Sequence, residues 1–203
     1  MKALRGFSLI ELIVGMVILG VLLSLAMPGF SNWLRNARVR TAAESVQNGL
    51  QLARAEAVRR NTDVRFSLVS TTDDTCTVAV RDPDLGWVAA PNWVISLEDP
   101  VGKCATPASD DTAPGIIQSH SGAEGSTATI ISLDPGDRSA SFVFNSLGRL
   151  TPPAASVNFS SGTGQLCRTA GGPVRCLRVQ VSIGGQIRMC DPALPAGDAQ
   201  ACA

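Results

Sequence analysis

Most marks of an enzyme are missing from this chain. No Gly-x-Ser-x-Gly, phosphate-loop, His-Glu-x-x-His or calcium-loop pattern occurs in its 203 residues, so no local sequence presents a nucleophile, cradles a phosphate or holds a catalytic metal. The one histidine, His120, stands in a Ser/Gly-rich stretch, which argues against a Ser-His-Asp arrangement. No Cys-x-x-Cys occurs, and without that spacing or a second histidine no zinc site is expected. The paired acids Asp73-Asp74 and Asp110-Asp111 lie in loop sequence and read as turn solvation rather than calcium ligands. The expectation is a non-enzyme with no cofactor, no metal and no small-molecule substrate.

Net charge is also lacking: 17 basic residues balance 17 acidic ones, so no global field draws in nucleic acid or acidic substrates. The charge is uneven, however. Arg35, Arg38, Arg40, Arg54, Arg59 and Arg60 face only two glutamates over residues 35–60, and Arg168, Arg175, Arg178 and Arg188 have no acid among them. Cysteines are present in even number, at Cys76, Cys104, Cys167, Cys176, Cys190 and Cys202. They point to disulfides in an oxidising compartment. Sequence leaves the pairing open; the expectation is nearest neighbours, Cys76 with Cys104, Cys167 with Cys176, and Cys190 with Cys202, the last pinning a proline-rich tail.

The N-terminus holds the longest apolar run. Ile13 to Met27 carries no charge, and Ser24 is its one polar side chain. Lys2 and Arg5 precede a stretch of about 20 residues, enough to span a bilayer. Nothing like Ala-x-Ala follows, unlike a secretory signal peptide. Basic residues at the start favour a cytoplasmic N-terminus, with the remainder outside the cytoplasm. Glu11 is the anomaly, because a carboxylate in an apolar membrane helix costs at least a few kcal/mol and calls for a partner or a task; alone, it also fits an interfacial carboxylate that snorkels.

Gly6-Phe7-Ser8-Leu9-Ile10-Glu11 closely resembles the class III signal of type IV prepilins and pseudopilins. The resemblance implies that prepilin peptidase cuts between Gly6 and Phe7 and N-methylates Phe7. It also implies that Glu11 is the filament-assembly glutamate, neutralised by a neighbouring subunit's N-terminal amine. Pro28-Gly29 ends the apolar run. Pro28 resembles the family's helix-breaking proline, since proline removes a backbone donor and clashes with the preceding turn; a simple exit from the membrane is the other reading.

Leu34 to Arg60 contains no proline. Val39, Ala43, Val46, Leu50, Ala53 and Ala57 fall on one helical stripe, with Arg38, Arg40, Glu44, Gln47, Gln51, Arg54 and Arg59 on the other faces. Such a helix lies against a sheet, and Asn61 is expected to end it. Beyond it come short β-branched runs at 64–69, 76–80, 93–97, 129–133, 141–144, 156–159 and 177–183, separated by turn clusters. The predicted class is α+β: a long N-terminal helix, half transmembrane and half amphipathic, packed on an antiparallel β-sheet head. The expected divisions are a cleaved leader 1–6, a transmembrane and assembly helix 7–28, an amphipathic half 29–61 and a periplasmic head 62–203. Residues 101–127, rich in Ser, Gly, Asp, Thr, Ala and Pro, read as a long variable loop.

The wording Ala43-Glu44-Ser45-Val46 through Leu52-Ala53-Arg54-Ala55-Glu56-Ala57-Val58-Arg59-Arg60-Asn61 resembles the H-type branch of pilin-like proteins, which includes the H pseudopilins of type II secretion and the FimT and FimU minor pilins. Phe144 to Leu150 adds the branch's Phe-x-x-x-Gly turn, with Gly148 expected at positive φ. The resemblance implies a minor pilin or pseudopilin in priming or at the tip of a type IV pilus, with the H pseudopilin of type II secretion as the alternative. Its implied partners are other pilins, prepilin peptidase, inner-membrane lipid and an assembly platform. A DNA-binding role in uptake is a further alternative: some FimT-like pilins carry a Gly-Arg-x-Arg motif, and here Gly185-Gln186-Ile187-Arg188 keeps its glycine and last arginine. Arg168, Arg175, Arg178 and Arg188 would then supply weak, salt-sensitive phosphate contacts. A membrane-anchored binding domain with an uncleaved signal anchor is the last alternative.

Overall fold

The computed structural model describes residues 8–78, 88–89, 92–126, 129–134, 140–151, 154–161 and 174–202, without the side chains of 25–28, 88–89 and 134. The first element, α1 (Leu9–Arg60), is 52 residues long, about 78 Å along its axis at about 1.5 Å per residue. Ser8 caps it with extended backbone, its Oγ accepting the Glu11 N–H at 3.3 Å, the Ser-x-x-Glu pattern of a capping box. At the far end Asn61 takes a left-handed φ of 52°. The Asn61 N–H donates to the Val58 carbonyl at 3.3 Å and the Thr62 N–H to the Ala57 carbonyl at 3.2 Å, the paired closure of a Schellman motif. Arg59 and Arg60 occupy the last turn, where cations suit the helix dipole.

Nine strands follow among the described residues: β1 (Val64–Val69), β2 (Val88–Ala89), β3 (Asn92–Ser96), β4 (Ile116–His120), β5 (Thr129–Asp134), β6 (Ser141–Phe144), β7 (Ala155–Ser161), β8 (Leu177–Val181) and β9 (Ile187–Cys190). They form two sheets, ordered β4-β3-β1-β6 and β2-β5-β7-β8-β9. Every strand pairing is antiparallel. The fold is α+β, a helix packed on antiparallel sheets.

One core joins the three layers. Val39, Ala42, Ala43, Val46, Leu50, Ala53 and Ala57 are fully buried on α1, against Phe66 and Phe144 of the first sheet and Ile131, Val157, Phe159, Val179 and Val181 of the second. Small residues on the helix stripe let the strands approach closely. Gly49 shows how closely: a Cβ placed there would stand 2.7 Å from the Phe66 ring and 3.1 Å from Trp93.

The stretch read as a loop over 101–127 contains β4. Ile116 is its one buried residue and Gln118 and Ser119 are exposed, so beyond Ile116 and Ile117 this edge strand carries no alternating signal; pairing with β3 holds it. The preceding segment also packs. Cys76 and Cys104 are bonded to each other and, with Val69, Val94 and Ile116, make a second buried cluster. That cluster covers the face of the first sheet turned away from α1, which is why β1 is buried at nearly every position and lacks clean alternation.

Candidate functional site

The two ends of α1 differ in what surrounds them. From Val39 onward the apolar stripe is covered by the head. From Leu9 to Leu23 it is not: Leu9 is 78% exposed, Met16 65% and Leu23 55%. Gly15 and Gly20 have no atom within 4 Å of a built Cβ. Each apolar side chain left in water forgoes about 1.5–3 kcal/mol of burial, so this surface is built for another environment. Among the described residues no single helix is long and apolar enough to cross a membrane; Leu9–Ser24 and Gly29–Arg60, bent by 40°, pass that test together by length and composition.

Glu11 is the acid of this segment. It lies exposed in the first turn, where the helix dipole favours a carboxylate. The cleavage residues Gly6 and Phe7 lie outside the described residues. Pro28 falls within the span of α1, but its side chain is outside the described set.

Arg60 is the last residue of α1, where the chain enters the head. Its Nε donates to Glu56 at 2.7 Å and its Nη1 to Asp110 at 2.5 Å, while Arg59 also binds Glu56 at 2.6 Å. The Arg59 and Arg60 hydrogen bonds hold the Glu56 carboxyl below its ordinary range against the opposing effect of burial. Bonds from Glu56 and then Asp110 push Arg60 up. The segment before β4 is thereby tied to the helix end. Of the paired acids, Asp73 accepts from Thr71 and Thr75, bonds that lower its pKa, and Asp74 accepts the Ala105 N–H at 3.2 Å; both organise turns.

The basic residues of the C-terminal region are separated into different settings. Arg178 and Arg188 share the outer face of β8 and β9, because Arg178 pairs with Cys190 and Gln180 with Arg188. Both have local partners: Arg178 donates to Asn158 at 2.6 Å, and Arg188 to the carbonyls of Ala199 and Ala201 at 3.1 and 2.7 Å. Arg175 is exposed, its backbone N–H donating to Asn36 of α1 at 2.7 Å. Arg168 lies outside the described residues. Gly185 has a packing role: at φ 78°, a Cβ there would lie 1.9 Å from the Gly148 carbonyl oxygen. The Gly148 turn, itself at φ 70°, accepts the Arg54 Nε at 3.1 Å. This junction of α1 with one turn from each sheet has no local sequence signal, since its members are 94 residues or more from Arg54.

Cys190 is bonded to Cys202, and Cys176 is disulfide-bonded; Cys167 lies outside the described residues. No group of three potential metal ligands occurs among the described residues. A groove of about 390 Å³ between α1 and β3–β4 is lined by Ser45, Asn48, Gly49, Trp93, Gln118 and His120 among others. Trp93 donates to Ser45 at 3.0 Å and stacks on His120 with ring centres 5.3 Å apart, which braces the groove from within.

Comparison with known proteins gives these features a family. The chain matches the family described as Type II transport protein GspH over residues 42–185 and the prokaryotic N-terminal methylation motif over residues 1–27. It is similar to two crystal structures of the type IV minor pilin FimU of Pseudomonas aeruginosa, at 14% and 15% identity and TM-scores of 0.48 and 0.49. Each covers 81% of this chain, and the matches span 99% and 95% of the FimU chains. It is also similar to the minor pseudopilin EpsH of the Vibrio cholerae type 2 secretion system, at 16% identity and a TM-score of 0.45, covering 78% of this chain and 99% of that one. On the family match across well over half its length, together with the methylation motif, the chain belongs to the GspH family and is a minor pilin or pseudopilin of a type IV filament.

Proposed function

We propose that the chain is a structural subunit that prepilin peptidase matures between Gly6 and Phe7, with N-methylation of Phe7, and that it then enters a type IV pilus in priming or at its tip. Residues 1–6 are the leader, 7–28 the transmembrane and assembly segment, 29–61 the amphipathic half and 62–203 the periplasmic head. The observation that carries this reading is the uncovered apolar surface of Leu9–Leu23 ending in Glu11 at a capped helix start. In the membrane lipid covers that surface; in a filament neighbouring helices do, and Glu11 meets a neighbour's N-terminal amine. The subunit works by packing, without catalysis. The assembly platform is its partner during insertion.

Placement in a type II secretion pseudopilus is the second reading, favoured by the described function of the matching family. DNA binding has less support, because Arg178 and Arg188 are engaged within the head. The test is the filament fraction sheared from cells carrying the full chain or Glu11→Ala. The full chain is expected there at far below the amount of the main subunit, and Glu11→Ala is expected to remain in the membrane fraction. Equal incorporation of Glu11→Ala would remove the assembly role of that carboxylate.

A further inference from the structure

Just past the apolar segment α1 carries two aromatic side chains that the head leaves uncovered. Phe30 is 63% exposed and Trp33 64%, and their rings lie against each other with centres 5.9 Å apart. Three residues further on, Asn36 accepts the Arg175 backbone N–H, so the lower edge of the head begins one turn above Trp33. The pair therefore occupies the boundary between the bare helix and the head.

Length, residue type and charge each bear on what covers it. From Leu9 to Phe30 the helix advances about 32 Å at about 1.5 Å per residue, which matches a bilayer hydrocarbon core of about 30 Å. Aromatic rings, tryptophan above all, concentrate at the headgroup level of membranes, where an apolar body and a polar N–H are both accommodated. Lastly, the charge here has one sign. Between Leu12 and Ala43 the chain holds Arg35, Arg38 and Arg40 and no acid; Arg40 pairs with Glu44 beyond that stretch, while Arg35 and Arg175 are exposed. Cations just above an aromatic pair suit a layer of lipid phosphates.

We infer that Phe30 and Trp33 seat the unassembled subunit in the outer headgroup layer of the bilayer, with Arg35 and Arg175 directed at lipid phosphates, and so set the height of the head above the membrane. This rests on the reading that residues 7–28 span the bilayer. It also gives the pair a role in extraction: entry into the filament must lift both rings out of the headgroup layer.

The test uses the full chain reconstituted into vesicles of phosphatidylethanolamine and phosphatidylglycerol carrying lipids brominated either beside the headgroup or deep in the acyl chain. Subtracting the fluorescence of Trp33→Phe isolates Trp33 from Trp87 and Trp93. The expected result is that the chain floats with the vesicles and that the Trp33 emission is quenched roughly two-fold more by the shallow label than by the deep one, as for an interfacial ring. If the chain floats but the Trp33 emission is unquenched, or is quenched more by the deep label, the interfacial seat is overturned while the span stands. If the chain does not float, the spanning segment itself fails and the inference falls with it.

Discussion

The two halves of α1 are one helix written for two solvents. Around Leu22 every side of the helix is apolar and exposed; around Leu50 only one stripe is apolar, and the head buries it completely. The second half is held by tertiary packing, the usual source of helix stability in water. The first has no packing partner among the described residues, and in the function proposed above lipid or neighbouring subunits cover it. An exposed leucine here marks a function, whereas a buried one marks the fold.

The sharpest way to break that contrast is a matched pair of substitutions. Leu50→Ala should lower the stability of the head by about 2–5 kcal/mol through the cavity it opens, measured by urea unfolding of the full chain in micelles. Leu22→Ala should leave the same transition unmoved. A comparable loss from both would mean that the head extends its support into the first half.

Removing the Cys76–Cys104 bond as the double serine variant should cost about 2–4 kcal/mol. Because that bond covers the far face of the first sheet, hydrogen exchange should rise in β3 and β4 before it rises in α1. The glycines repeat the contrast at smaller scale. Gly49→Ala pushes a methyl into Phe66 and Trp93 and should destabilise by about 1–3 kcal/mol, whereas Gly20→Ala meets nothing and should change stability by no more than about 1 kcal/mol, in favour of the helix. Unfolding midpoints of the two variants decide it.

Among the substitutions that weaken the head, Glu56→Gln gives the smallest loss, about 1–2 kcal/mol from charged hydrogen bonds to arginine. Its pH dependence is diagnostic. The folded carboxyl is held below its ordinary pKa of 4.5, so its contribution is complete above that value and disappears as pH falls through the lower folded one. The native chain and Glu56→Gln should therefore converge in stability as the medium is acidified below pH 4.5.

Much of this fold is legible in the sequence because its signals are local. The spacing of Val39, Val46, Leu50 and Ala57 marks the buried stripe, and Asn61 marks the helix end. Ser141–Phe144 reads as a strand from its own letters. What escapes is made by distant partners. Strand β4 exists through pairing with β3, and the Arg54–Gly148–Gly185 junction joins a helix arginine to two glycines whose type alone suggests only turns. Gly185 shows the hazard of a short motif: its glycine is required by a backbone contact whatever Arg188 does. The uncovered apolar run of Leu9–Leu23 is legible for the opposite reason, since it stands in the sequence as one continuous stretch that needs no distant partner to be seen.

Whether the chain is matured as a filament subunit is read in the intact mass of the full chain produced with and without prepilin peptidase. The expected result is that the peptidase removes residues 1–6 and adds one methyl group to Phe7. An unchanged mass, with Lys2 and Arg5 still attached, would contradict it.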